Sequence, residues 1–254
     1  MNKVEKLADL RHFLARYGLP HDRPAIPLGS PAADAVLDGG LRRGAVHEIF
    51  AGDWGASGFA ACLAIQATGQ VLAKKPLFWI RPDYEALEYG ALSATGLLEL
   101  GGDPKNLFLL RTADAADALS AAADILACPH VGAAVLEISG TPRCLDLVAS
   151  RRLALLAEES GVTLFLLREG AAPEPSAAAT RWQVQSLSSR ADDDDWGSPR
   201  FIARLTRHRL GALGDFTLEW DIDHAIFHDA AAHPGAVAAT AADRPAEAPR
   251  QRRA

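Results

Sequence analysis

A chain of 254 residues, 49% hydrophobic and 23% charged, has the balance of an ordinary soluble globular protein and the length for one large α/β domain. Its net charge of −6 argues against a strong, general nucleic-acid binder, and no run of about 18 apolar residues offers a membrane span. Cys62, Cys128 and Cys144 are far apart and form no C-x-x-C pair, which disfavours a zinc site or disulfide framework; they read as small buried residues of a protein in a reducing cytoplasm.

The N-terminus, Met1 to Asp9, alternates charge with apolar residues and lacks a signal-peptide core. Val4, Leu7, Leu10 and Leu14 recur at helical spacing, so residues 3–16 are expected to form a short amphipathic helix. Pro20, Pro24, Pro27 and Pro31 follow as an extended connector, and residues 1–27 are assigned to this helix and connector. A turn at Asp38-Gly39-Gly40 then leads to a β-like run from Ala45 to Phe50.

A glycine-rich loop, Gly52 to Gly58, comes next, and an apolar helical stretch from Phe59 to Leu72. Strand, glycine loop and helix is the layout of a phosphate cradle, in which backbone N–H groups and a helix N-terminus face an anion. Gly52, Gly55, Ser57 and Gly58 are the candidate residues of such a loop. A working loop also carries a lysine for the β/γ-phosphates and a hydroxyl for magnesium. Phe59 and Ala60 stand in those places, and the two outer glycines are separated by one residue too many. The missing lysine alone removes a charge-assisted contact worth roughly 1.5–3 kcal/mol, and Phe59 is expected to crowd the phosphate position. The loop therefore reads as vestigial, with no catalysis and no cofactor, and weak nucleotide binding is the minor reading.

Leu77 to Ile80 is a buried-strand pattern, followed by a helical stretch from Tyr84 to Leu98. Leu107 to Leu110 reads as a strand, residues 114–127 as a helix, Gly132 to Ile138 as a strand, Leu145 to Ser160 as a helix, and Thr163 to Leu167 as a strand. Strands alternating with helices of this length predict βαβ units and a mainly parallel sheet covered on both faces. After Pro175 the pattern changes to alternation: Thr180 to Ser186, Phe201 to Thr206 and Phe216 to Trp220, the last two joined by Gly211-Ala212-Leu213-Gly214. These predict an antiparallel C-terminal extension. Asp192 to Asp195 reads as a flexible loop, and residues 229–254, rich in alanine, proline and arginine, as a disordered tail.

Gly39-Gly40-Leu41, Gly44, His47-Glu48-Ile49-Phe50 and Ser57-Gly58 resemble the opening of the RecA recombinase core. Over residues 28–228 the chain most resembles the ImuA family of damage-inducible mutagenesis proteins. The closer likeness lies in Leu41 to Glu48, in Ala149 to Leu153 leading to Gly161-Val162-Thr163, and in Ser176 to Trp182. The resemblance implies a RecA-like fold. It also implies a non-catalytic accessory role in error-prone DNA synthesis, alongside an ImuB-like Y-family polymerase homologue and a C-family polymerase, in the cytoplasm and at the nucleoid. Two other readings stay open: a SulA-like inhibitor of cell division acting on FtsZ, and a divergent RecA-type ATPase. Self-association also stays open.

Several charged residues are further candidates. Glu137 ends its strand where a Walker-B-like carboxylate would stand, and Asp83 lies near the position of a water-activating carboxylate; both read more simply as surface or hydrogen-bonding groups. Arg151 and Arg152 are candidate partner or DNA contacts, with Arg152 expected inside a buried arc of Leu145, Val148, Ala149 and Leu156 and paired to Glu159 or Glu137. Arg181, Trp182, Arg204, Arg207 and Arg209 make a possible basic surface with an aromatic element for weak single-stranded DNA contact, against the simpler reading of a charge-protected edge. No Gly-x-Ser-x-Gly elbow and no metal-binding histidine spacing is present.

Overall fold

The computed structural model describes residues 24–53, 55–69, 75–189, 197–209 and 211–230. The expected helix over 3–16, the Asp192–Asp195 run and the chain beyond Ala230 lie outside them.

In chain order the elements are α1 (Pro31–Val36), β1 (Val46–Ala51), α2 (Ala56–Thr68), β2 (Leu77–Pro82), α3 (Asp83–Tyr89), α4 (Ala94–Glu99) and β3 (Leu107–Thr112). There follow α5 (Ala115–Leu126), β4 (Ala133–Ser139), α6 (Leu147–Ser160), β5 (Thr163–Glu169), β6 (Thr180–Leu187), β7 (Arg200–His208), β8 (Gly214–Asp221) and β9 (Ile226–Asp229). The strands form one sheet in the order β3-β2-β4-β5-β1-β6-β7-β8-β9. Every pair from β3 across to β6 is parallel, and the three pairs from β6 to β9 are antiparallel. The fold is thus α/β, with a mostly parallel sheet flanked by helices and an antiparallel C-terminal extension, as the alternating patterns predict.

The two faces carry separate cores. On one, α2 packs Phe59 and Leu63 against Trp79, Phe165, Trp182, Trp220 and Phe227. On the other, α5 and α6 pack Leu119, Leu126 and Leu153 against Ile80, Leu136 and Leu166. The central strands β4 and β5 are apolar along nearly their whole length because both faces are covered, whereas β6 to β8 alternate because one face is open to solvent.

Three sequence expectations change. The single helix over Tyr84 to Leu98 is two, α3 and α4, because Gly90 takes φ +78° and Ser93 caps the second by accepting from the Gly96 amide. Strand β9 is an addition: it hydrogen-bonds the segment leading into α1, with the Phe227 amide donating to the Leu28 carbonyl at 2.7 Å. Of the three cysteines only Cys62 is buried, while Cys128 and Cys144 are exposed in the loops around α5 and α6.

Candidate functional site

The junction of β1 and α2 is built differently from a phosphate cradle. Helix α2 begins at Ala56, three residues earlier than its apolar run suggests, so Ser57 and Gly58 lie inside its first turn and the loop shrinks to residues 52–55. The remaining loop is pinned to β6. The Gly52 amide donates to the Val184 carbonyl at 2.7 Å, and the Asp53 carboxylate accepts from the Gly55 amide at 2.9 Å. Asp53 also accepts from the Ser186 amide and hydroxyl at 2.8 and 2.7 Å. A Cβ on Gly52 would lie 2.6 Å from the Gln185 side chain, and one on Gly55 2.5 Å from that of Ser186. This close approach leaves no room for a Cβ at either glycine unless the facing side chain shifts. Partial burial pushes the Asp53 carboxyl up, but the hydrogen bonds from Ser186 and Gly55 outweigh it and hold the group below its usual value. A fixed negative charge therefore stands beside the helix N-terminus, where a phosphate cradle presents donors to an anion.

The two residues after Gly58 turn inward. Phe59 and Ala60 are fully buried, and the Phe59 ring lies 5.3 Å from that of Phe227, 5.4 Å from Phe201 and 6.2 Å from Trp182. The expectation that Phe59 crowds the phosphate position is not met. Phe59 is a core residue, because the early helix start rotates it onto the face that meets the sheet.

No protein-family model matches the chain, and no curated protein matches it.

A second group of charges sits at the carboxyl ends of β2, β4 and β5. The chain leaves β2 toward β3 on one side and β4 toward β5 on the other, so this is a switch point of the kind where open α/β sheets bind ligands. Glu137 accepts from the Trp79 indole at 2.9 Å and from Arg81 Nη2 at 3.1 Å; the Arg81 and Glu137 side chains are each 5% exposed. Arg81 Nη1 donates to the Gly90 carbonyl at 2.9 Å and fixes the break between α3 and α4. Glu85, fully buried, accepts from the Ser139 amide at 2.7 Å and from its hydroxyl. Glu137 is thus a buried hydrogen-bonded carboxylate facing an arginine, and each of its oxygens accepts from a protein donor. Asp83 is a surface group paired with Arg111 at 2.7 Å, as its position suggests.

Glu169, at the end of β5, is 6% exposed, and its carboxyl is pushed up to about 7 by burial, then by Glu137 and Glu85, with Arg81 opposing. The folded chain therefore holds a proton that the unfolded chain, with a carboxyl near 4.5, has released. The stability this contributes is full below about pH 4.5 and is lost as the pH rises through 7. Glu169→Gln is accordingly expected to exceed the wild type in stability at pH 8 by roughly 1–3 kcal/mol, the gap closing toward pH 4.5. Urea unfolding of both chains across that range checks this, and a gap independent of pH would refute it.

His47, singled out by the resemblance, is structural. Its Nε2 faces the Arg42 carbonyl at 2.9 Å and so carries the proton, leaving Nδ1 to accept from the Thr180 hydroxyl at 2.8 Å. Thr180 in turn accepts from the Trp182 indole at 2.9 Å. This chain of bonds ties β1 to β6, and burial lowers the imidazole to about 4, keeping it neutral.

The candidate arginines do not converge on one surface. Trp182 is fully buried against Phe59 and Phe216, on the sheet face opposite Arg181, and cannot stack on a base. Arg181 pairs with buried Glu48 at 2.7 Å and lies over the Phe50 ring. Arg207 donates to the Ser176 carbonyl at 2.8 Å, Arg204 pairs with Asp215 across β7 and β8 at 3.1 Å, and Arg209 is exposed past the end of β7. Trp182, the aromatic element expected of a single-strand site, is thus not on this open face, where Arg181, Arg204 and Arg207 are matched by carboxylates and carbonyls. On α6 the buried residues are Ser150, Leu153 and Ala157, so Arg151 and Arg152 both face solvent, with Val148 74% and Leu155 66% exposed. The expected arc was rotated because Ser150 packs inward to accept from the Ala177 amide at 2.8 Å, a contact that no hydrophobic period reveals. Arg152 instead lines a groove of about 350 Å³ between α5 and α6, with Leu119, Ala123, Cys144 and Val148.

Proposed function

We propose that this protein is a non-catalytic scaffold of the ImuA type, serving damage-induced, error-prone DNA synthesis by docking an ImuB-like polymerase homologue and a C-family polymerase in the cytoplasm. The resemblance over residues 28–228 supplies the role, and the β1–α2 junction supports the absence of nucleotide chemistry. The observation that carries this reading is the closure of that junction by the chain's own groups: Asp53 holds the Gly55 and Ser186 donors, and Phe59 and Ala60 are buried core residues. Surfaces suited to docking remain, namely the α6 stripe of Val148, Arg151, Arg152 and Leu155 and its groove.

The test is co-purification of the full chain with an ImuB-like polymerase homologue. A stable complex, weakened by Arg152→Glu on the exposed side of α6, is the expected result. Failure to form a complex, together with filamentation of cells overproducing the chain, would favour the SulA-like alternative.

A further inference from the structure

Strands β2, β4 and β5 lie side by side, and Trp79, Val135 and Leu167 on them face the α2 side of the sheet. Two residues further along each strand, on the same face, stand Arg81, Glu137 and Glu169. Glu85 comes in from α3 to hold the amide and hydroxyl of Ser139, which lies opposite Glu169 in the register of β4 and β5. Arg81, Glu85, Glu137 and Glu169 are 4%, 0%, 4% and 6% exposed, so three buried carboxyls share one guanidinium. Around them β1 adds Ala51 to this face, and α2 carries no charged side chain. From α3 comes Tyr84 beside Glu85, its phenol pushed up to about 12 by burial and then by that carboxylate. Three ionised carboxylates against one arginine would bury two uncompensated charges, so one carboxyl holds a proton. Glu137 accepts from Trp79 and Arg81, and Glu85 from Ser139, contacts that favour their ionised forms. The Glu169 side chain accepts nothing from the described residues, which makes it the group that keeps the proton. One donor of the cluster is equally idle: Arg81 Nε is buried and has no hydrogen-bond partner.

We propose that Glu169 and Arg81 form a proton-operated latch on the break between α3 and α4. With Glu169 protonated, Arg81 spans Glu137 and the Gly90 carbonyl. With Glu169 ionised, the idle Arg81 Nε is the vacant buried donor of the cluster, and the new charge draws the guanidinium toward β5. Nη2 stays with Glu137, on the strand between the two, while Nη1 leaves the Gly90 carbonyl. Gly90 holds φ +78° and a Cβ there would meet nothing within 4 Å, so the Arg81 bond, not close packing of this residue, fixes the turn. Helix α3 stays anchored through Glu85 to Ser139, and buried Leu97 keeps α4 on the core. The proton therefore controls the turn between them, residues 90–93. Burial, then Glu137 and Glu85, set the change at about pH 7. Since ionised Glu169 favours the released turn, release of the turn favours loss of the proton by the same factor.

Nuclear magnetic resonance of the full, isotope-labelled chain tests this between about pH 5 and 9, a range that brackets the transition. The signals to follow are Glu169 Cδ for the proton, the Gly90 carbonyl carbon for the latch bond, and Arg81 Nε–H for the new one. All are expected to step with a common midpoint near 7, Nε–H moving downfield as it gains an acceptor. In Glu169→Gln and Glu169→Leu, which carry no charge, the Gly90 and Arg81 signals are expected to keep their low-pH positions up to about pH 9. Circular dichroism shows whether each variant is folded, and the wild-type titration decides the question by itself where one is not. An Arg81 Nε–H that ignores the Glu169 step, a Gly90 step that survives in a folded Glu169 variant, or a Glu169 that titrates near its ordinary 4.5 would overturn the proposal.

Discussion

Phe59→Lys, which places the residue of a working phosphate loop after Gly58, is expected to unfold the domain and not to restore nucleotide binding. Phe59 is fully buried with Phe201, Phe227 and Trp182 around it. Truncating such a ring to alanine costs about 3–5 kcal/mol, and a lysine adds an uncompensated buried charge to that loss. Domain stabilities are typically about 5–15 kcal/mol, so the combined effect removes most of the margin. A series of Phe59→Leu, Phe59→Ala and Phe59→Lys, followed by urea unfolding, should fall in that order of stability. A folded Phe59→Lys chain that binds Mg·ATP would mean that the side chain had found a phosphate site, and the assignment of Phe59 to the core would fail.

The second large effect is expected at Arg81. Its guanidinium is the cationic partner of buried Glu137 at 3.1 Å and also holds the Gly90 carbonyl. Arg81→Ala leaves a carboxylate in the interior without its counter-charge, a change that costs about 3–5 kcal/mol. Burial already raises the Glu137 carboxyl, against the pull of Trp79 and Arg81. Losing Arg81 raises it further, so Glu137 escapes the penalty by taking a proton. The sign follows: stability added by protonation is present at low pH and lost as the pH rises, so Arg81→Ala should be nearer the wild type at pH 5 than at pH 8. Adding Glu137→Gln should recover part of the loss at pH 8 and little at pH 5. Additive losses from Arg81→Ala and Glu137→Gln, with no pH dependence, would show that the two groups do not act as a pair.

The architecture was legible in the sequence because strands such as Leu164 to Leu167 are apolar on both faces and can only be central, while Phe201 to Thr206 alternates and can only be half-covered. Element ends were less legible. The start of α2 at Ala56 depends on how Asp53 and Ser186 meet, two residues 133 positions apart. That contact moved Ser57 and Gly58 from loop to helix and Phe59 from site to core. The same limit applies to α6, where the inward turn of Ser150 toward Ala177 rotated the buried arc away from Arg152. Glu137 drew notice at the end of its strand, but Arg81, Glu85 and Glu169 did not. Arg81 and Glu169 lie at the C-terminal ends of β2 and β5, which the sheet order sets on either side of β4, and Glu85 lies on α3 just after β2. A charged residue within the last three positions of β2, β4 and β5 was the available signal. Trp182 shows the opposite hazard: beside Arg181 in the chain, it points to the other face of β6.

A scaffold without nucleotide chemistry should hold its partner equally well whether nucleotide is present or not. The decisive measurement is the affinity of the full chain for the ImuB-like polymerase homologue, titrated with and without Mg·ATP. The closed β1–α2 junction predicts a complex with the same Kd in both titrations. A Kd that moves tenfold with Mg·ATP, a coupling of about 1.4 kcal/mol between the two ligands, would contradict the account and favour the reading of a nucleotide-driven protein.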